Sequence, residues 1–156
     1  MNDPFQPHSH DNNPLPPDDN TTLQLTLFGG SPQEIPLNTL RENFPQAEIP
    51  AYQYTTDHGV HGPYRLIGVA LGRLIELYLG EEERWTEAEV VSADGFGNRI
   101  YAEEADPSLP GDPILLCYAS NGRELSRAHG LVRLVVPSET DNALRQIKWV
   151  REINVK

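Results

Sequence analysis

The chain has 156 residues, which suits one domain with one sizeable core but not two. Its 23 acidic and 12 basic residues give a formal net charge of -11, which disfavours nonspecific binding to nucleic acid or to anionic membranes. One cysteine, Cys117, excludes an internal disulfide and a zinc site of several thiolates. No signal peptide and no apolar run of about 18 residues is readable, so we expect a soluble, cytoplasmic protein.

The N-terminal segment differs in composition from the rest of the chain. Residues 1–20 contain five prolines and many Asp and Asn residues, and they offer little apolar area to offset the entropy cost of ordering. The composition predicts a disordered tail over 1–20 and a domain over 21–156.

The first half of the domain predicts two helices among strands. Leu23, Leu25 and Leu27 alternate with polar residues, which predicts a strand. Asn38, a capping residue type, opens a predicted short helix that stops before Pro45. Further along, the patterns predict a weak strand at 48–55, a polar loop at 56–64, and a helix at about 68–79 with helically spaced apolar residues.

The second half predicts strands separated by turns. The apolar run 114–119 predicts a buried central strand, and Asn121-Gly122 predicts a chain reversal after it. Other patterns predict strands at 88–92, 131–136 and about 149–155 and turns at 94–97 and 106–113. The whole pattern is that of a sheet-rich α+β domain.

Three histidines raise the question of a metal site. His58 and His61 lie beside Asp57, and His129 is a distant third candidate for a zinc or iron ligand set. Isolated histidine pairs are more often loop residues satisfied by backbone groups or water, and the spacing favours that interpretation.

Common catalytic motifs are missing from the sequence. Cys117 lies within the apolar run, where burial raises a thiol pKa and makes the residue inert. The sequence contains no nucleophile elbow, no phosphate-binding loop with its lysine and no dinucleotide fingerprint, so hydrolase, nucleoside-triphosphatase and nicotinamide enzymes lack support.

A basic grouping near the C-terminus predicts an anion site. His129, Arg133, Arg145 and Lys148 concentrate cationic donors in an acidic chain. Arginine offers paired hydrogen bonds to a phosphate and lysine a point charge, which suits a phosphorylated cofactor if the fold brings them together. The alternative is ordinary ion pairing with the many carboxylates.

The order of motifs in the C-terminal half resembles the sulfite oxidase-like molybdopterin-binding domain. That family has, in this order, an Asp-Gly-Tyr turn, a strand ending in Asn-Gly-x-x-Leu, a His-Gly-x-x-x-Arg-Leu-x-x-Pro strand and a closing Arg-x-x-Lys-Trp-x-x-x-Ile. The matching segments here are 94–96, 114–125, 129–137 and 145–153. The N-terminal half is similar more loosely, at Gly29-Gly30, Phe44-Pro45 and 67–71.

The resemblance implies a mixed α+β fold, an oxidoreductase ancestry and a molybdenum pterin cofactor. It assigns Arg133, Arg145 and Lys148 to the pterin or its phosphate, matches His129 to the motif histidine, and places His58 and His61 at the mouth of the site. Ser138 stands where the family often has a glycine.

The resemblance also exposes a departure. Family oxidoreductases hold molybdenum through a cysteine that corresponds to about 54–57 here, and this segment has none. A metal would then need His58, His61 or the cofactor's own dithiolene as ligand. Two alternatives stay open: a non-enzymatic binding or interaction module that has lost the cofactor, and a small-molecule or anion-binding protein that uses the same basic residues.

Overall fold

A computed structural model describes residues 22–126, 129–139 and 145–156 of the chain. Within these residues it contains two helices and ten strands. The sheet-rich α+β class predicted from the sequence is confirmed. The tail predicted at 1–20 lies outside the described residues.

The first sheet joins the two ends of the described chain. Its strands are β1 (Thr22–Leu27), β2 (Gln33–Pro36), β5 (Glu87–Ser92), β6 (Gly97–Tyr101) and β10 (Val150–Val155). Their order is β2-β1-β10-β5-β6, and β1 pairs with β10 in parallel. The last strand therefore lies at the centre of this sheet.

The second sheet carries the residues of the candidate site. Its strands are β3 (Ala47–Thr56), β4 (Gly59–Ala70), β7 (Leu115–Ser120), β8 (Arg123–Glu124) and β9 (Arg133–Val135). Their order is β3-β4-β7-β8, and β9 also pairs with β7. Every residue of β7 is buried, as its apolar run predicts.

The main core lies between the sheets and includes both helices, α1 (Leu37–Asn43) and α2 (Leu71–Tyr78). A second apolar cluster covers the other face of the second sheet, which we call the outer face. It contains Ile49, Tyr52, Tyr54, Leu66, Leu115, Cys117, Leu125 and Val135. Because neighbouring residues of a strand point to opposite faces, β7 and β9 contribute to both clusters.

Several predicted boundaries are wrong, and tertiary pairing explains them. The loop predicted at 56–64 is a hairpin, because β3 extends to Thr56 and β4 begins at Gly59. The second helix begins at Leu71 and not at 68, because residues 68–70 extend β4 and pair with β7. A Cβ at Gly68 would stand 1.9 Å from the carbonyl oxygen of Leu116, so glycine permits this close strand approach.

Two smaller differences concern short elements. Helix α1 begins at Leu37, its N-cap is Pro36, and no side chain caps it, so Asn38 does not serve as the cap. Strand β2 was not predicted, because four residues with one buried apolar side chain give no readable alternation. Neither helix in the described ranges is long and apolar enough to cross a membrane.

Candidate functional site

Arg133 lies on the outer face of the second sheet, in β9. Its neighbour Leu134 faces the main core, so the alternation of the strand turns Arg133 and Val135 to the other side. The Arg133 side chain is almost fully buried, with 1% of its surface exposed. A buried guanidinium is a strong local source of positive charge in an acidic protein.

Gly130 brings Arg133 and Lys148 together. A Cβ at Gly130 would lie 3.0 Å from Cγ of Arg133 and 3.2 Å from Cβ of Lys148, and the backbone φ there is +101°. The carbonyl oxygen of Gly130 accepts hydrogen bonds from the N–H groups of Val132 at 2.6 Å and Trp149 at 2.9 Å. The tight turn at Gly130 thus places two predicted cationic residues side by side.

Residues 145–149 form a segment that we call the strap. Ile147 pairs with Leu134 through two backbone hydrogen bonds of 2.9 and 3.3 Å, and both side chains enter the main core. The flanking side chain of Gln146 lies on the opposite side. There the Gln146 amide donates to the Tyr52 hydroxyl.

Tyr52, in the edge strand β3, contributes a phenol hydroxyl to the outer face. Its hydroxyl donates to the carbonyl oxygen of Glu139 at 3.4 Å. Burial raises the pKa of Tyr52 to about 12, although the charge of Arg133 and the hydrogen bond from Gln146 oppose the rise. Tyr52 therefore stays neutral and can act as a hydrogen-bonding group but not as a phenolate.

His129 touches this arrangement through its backbone. Its carbonyl oxygen accepts a hydrogen bond from Nη1 of Arg133 at 3.5 Å. Its ring Nδ1 lies 2.9 Å from the hydroxyl of Ser126. The structure thus brings His129, Arg133 and Lys148 to one end of β9.

Arg145 is engaged differently from the other predicted cations. Its two terminal nitrogens bond Glu104 at 2.7 and 2.8 Å, and Nε bonds Glu139 at 2.5 Å. These pairs raise the pKa of Arg145 and lower that of Glu104. We call Arg145, Glu104 and Glu139 the clamp.

His58 and His61 lie at the tip of the β3–β4 hairpin. Nε2 of His61 is 2.8 Å from the Thr56 hydroxyl, and its ring stacks on Tyr54 with the ring centres 4.9 Å apart. The same Thr56 hydroxyl accepts the backbone N–H of His58 at 3.2 Å. No group of three His, Cys, Asp or Glu side chains suited to a metal ion occurs in the described ranges.

Cys117 offers no thiolate. Its side chain is buried in β7, and its thiol donates to the carbonyl oxygen of Ala119 at 3.2 Å. Burial raises the thiol pKa to about 12. Since Cys117 is the one cysteine of the chain, no protein thiolate is available to a metal at neutral pH.

A cavity of about 680 Å³, which Glu104 of the clamp helps to line, was not predicted from the sequence. Ala70 and Arg73 line it, together with parts of the β6–β7 loop and Pro137-Ser138. Arg133 and Lys148 are not among its lining residues. Its walls come from segments far apart in sequence, so no local motif signals it.

The family model for the "Oxidoreductase molybdopterin binding domain" matches residues 12–156. The chain therefore belongs to this family, which confirms the resemblance seen in the sequence and makes molybdopterin its cofactor.

One solved structure shows the same fold. It is the crystal structure of the sulfane dehydrogenase SoxCD from Paracoccus pantotrophus, with a TM-score of 0.67 and 21% sequence identity. The match covers 86% of this chain and 37% of that chain, so the chain spans well under half the length of its structural neighbour. Among curated proteins, no sequence matches the chain significantly.

The described residues fit one part of the cofactor and not another. The turn at Gly130, which a Cβ would fill, sets Arg133 beside Lys148, and these are donors for a phosphate. The described residues do not supply a thiolate ligand to the metal, because the Cys117 thiol is neutral and buried. The chain thus suits the anionic end of molybdopterin and supplies no thiolate to its metal.

Proposed function

We propose that His129, Arg133 and Lys148 hold the anionic end of molybdopterin. The observation that carries this proposal is the turn at Gly130, which has the stem of the buried Arg133 side chain and Cβ of Lys148 close to it. A phosphate accepts paired hydrogen bonds from arginine and a charge contact from lysine. In a chain with a net charge of -11, this local positive charge favours a small anionic ligand over a nucleic acid.

The reaction class that follows is oxidoreduction without a cysteine ligand on the metal. When bound, a molybdenum pterin supplies redox chemistry, and the protein supplies binding, orientation and electrostatics. Arg133 and Lys148 would bind the anionic end of the cofactor. Neutral Tyr52 would position Gln146 and the Glu139 carbonyl group by hydrogen bonding. His58 and His61 stand at the tip of the β3–β4 hairpin, and in this proposal the tip forms the mouth of the site.

The second candidate function is a binding or interaction module that keeps the fold without catalysis. One observation favours it, namely the neutral, buried state of the only thiol in the chain. Thiolate donation sets the electronic properties of a metal and anchors it, so a site without a thiolate differs in kind from an active one.

Cofactor content separates the two functions. The protein is expressed in a host that makes the cofactor, molybdenum and tungsten are measured by elemental analysis, and pterin is measured by fluorescence after acidic iodine oxidation. Stoichiometric metal and pterin support the oxidoreductase. Pterin without metal supports a binding role, and the absence of both refutes the cofactor proposal.

Lysine variants test the residue assignment. Lys148→Gln removes the point charge beside Arg133, and we expect its pterin content to fall by about tenfold, the equivalent of about 1.4 kcal/mol. The matched control is Lys156→Gln, which changes the other lysine of the chain, in the exposed C-terminal residue. Equal pterin content in both variants and the wild type would remove Lys148 from the site.

A further inference from the structure

We propose that Arg145 is a positioning residue of the cofactor site and not one of its anion ligands. It holds the strap, and with it Gln146 and Lys148, through the clamp with Glu104 and Glu139. The role of Gln146 and Lys148 in holding the cofactor rests on the function proposed above. The clamp itself rests on contacts within the described chain.

The N–H donors of Arg145 are mostly taken up by oxygens of the protein, which is the first argument. A guanidinium has five N–H groups. Three bonds go to Glu104 and Glu139, and a fourth goes from Nη1 to the carbonyl oxygen of Arg99 at 3.2 Å. A phosphate would therefore have to displace carboxylates that already match the planar fork.

The second argument is the local charge. The clamp contains one guanidinium and two carboxylates, so it carries a net negative charge. The pKa of Glu104 is lowered, chiefly by its hydrogen bonds with Arg145, so Glu104 is ionised at neutral pH. A phosphate that approaches Arg145 meets repulsion, whereas one beside Arg133 and Lys148 meets attraction.

The third argument is the position of the clamp between the two sheets. Glu104 follows β6, the edge strand of the first sheet, and one of its oxygens also accepts the Tyr101 backbone N–H at 2.9 Å. Glu139 follows β9 of the second sheet, and its carbonyl oxygen accepts the Tyr52 hydroxyl. Arg145 therefore ties the start of the strap to both sheets.

The clamp is the side-chain attachment at the start of the strap. The backbone beyond it is held by the pairing of Ile147 with Leu134 and by two bonds of Trp149, whose N–H donates to the Gly130 carbonyl oxygen and whose carbonyl oxygen accepts from the Ala93 N–H. Gln146 and Lys148 flank Ile147; the Gln146 amide bonds the Tyr52 hydroxyl, and Cβ of Lys148 lies beside Gly130. A strap freed at Arg145 would lose the side-chain placement that the cofactor site uses.

Backbone hydrogen exchange of the strap tests the clamp without any ligand. We expect Arg145→Gln to raise the exchange rates of the Ile147 and Trp149 amides by about tenfold, because local opening becomes easier. The control Arg65→Gln breaks the exposed pair of Arg65 with Glu48, whose atoms are 2.6 Å apart, and should leave the strap unchanged. Unchanged exchange in Arg145→Gln would overturn the inference.

Pterin content then separates positioning from direct binding. Glu104→Gln keeps the guanidinium of Arg145 and frees part of it. A positioning role predicts faster exchange in the strap and less pterin, whereas a ligand role predicts equal or greater pterin content.

Arg145→Lys keeps a cation beside Glu104 and Glu139. If Arg145 acts by position, strap protection and pterin content should both recover relative to Arg145→Gln. Protection that recovers without pterin would make Arg145 a direct ligand and overturn the inference. A wild-type protein without pterin refutes the proposed function, while the exchange measurements still decide the clamp.

Discussion

Replacing Gly130 by alanine probes the turn that brings Arg133 and Lys148 together. The backbone φ of +101° costs an L-residue about 1–3 kcal/mol of strain. The new Cβ would also meet Arg133 Cγ at 3.0 Å and Lys148 Cβ at 3.2 Å, so both stems must shift by a few tenths of an ångström. Off-rotamer side chains cost roughly 0.5–1.5 kcal/mol each. We expect a loss of about 2–6 kcal/mol in the free energy of unfolding and a clear fall in pterin content.

The matched control is Gly95→Ala. Gly95 has a φ of +92° but nothing within 4 Å of the added Cβ, so it carries the backbone strain without the contacts. Urea unfolding of both variants gives the difference, which should be about 1–3 kcal/mol in favour of Gly95→Ala. Equal losses in the two variants, with pterin content unchanged in Gly130→Ala, would refute the crowding of Arg133 and Lys148 at this turn.

Three further predictions concern titratable groups. The Cys117 thiol is buried and has a pKa of about 12. A thiol-specific disulfide reagent at pH 8 should therefore label the urea-unfolded chain rapidly and the native protein negligibly. Fast labelling of the native protein would contradict the inert state of the thiol. Because Arg145 holds the pKa of Glu104 below its unfolded value, this pair stabilises the fold above that value and the contribution is lost as pH falls through the folded pKa. Wild-type stability should then drop more between pH 7 and pH 3 than that of Glu104→Gln, and parallel curves would exclude the pair as a source. Tyr52 has a raised pKa of about 12, so its neutral form stabilises the fold fully below about pH 10, and this contribution is lost as pH rises toward 12. The ultraviolet titration of the wild type should contain one late-ionising phenol that the titration of Tyr52→Phe lacks. The absence of this difference would place Tyr52 in contact with water.

The order of most elements could be predicted from local patterns. Alternating leucines in β1, the apolar run of β7 and the Asn-Gly reversal after it are determined by side chains close together in sequence. The motifs of the C-terminal half led from there to the family, because they keep their order along the chain. Element boundaries were less accurate at residues 68–70, where pairing with β7 outweighs the helical pattern.

The candidate site was predictable in composition and only partly in geometry. The sequence singled out His129, Arg133, Arg145 and Lys148 as cationic residues, and the structure brings the first two and Lys148 to one end of β9. Arg145 differs, because its carboxylate partners are 41 and 6 residues away and the more distant one, Glu104, follows a strand of the first sheet. No local pattern reports such a partner.

The sequence by itself determined the α+β class, the family, the acidic charge and the lack of a second thiol, since each depends on residue identity and local order. The tertiary structure decided which cations meet at Gly130, which one is taken up by carboxylates, and that the only thiol is buried and neutral. The physical reason is that charge pairing and burial depend on through-space distance, and the pairing of β10 with β1 and β5 sets these distances only when the chain closes on itself.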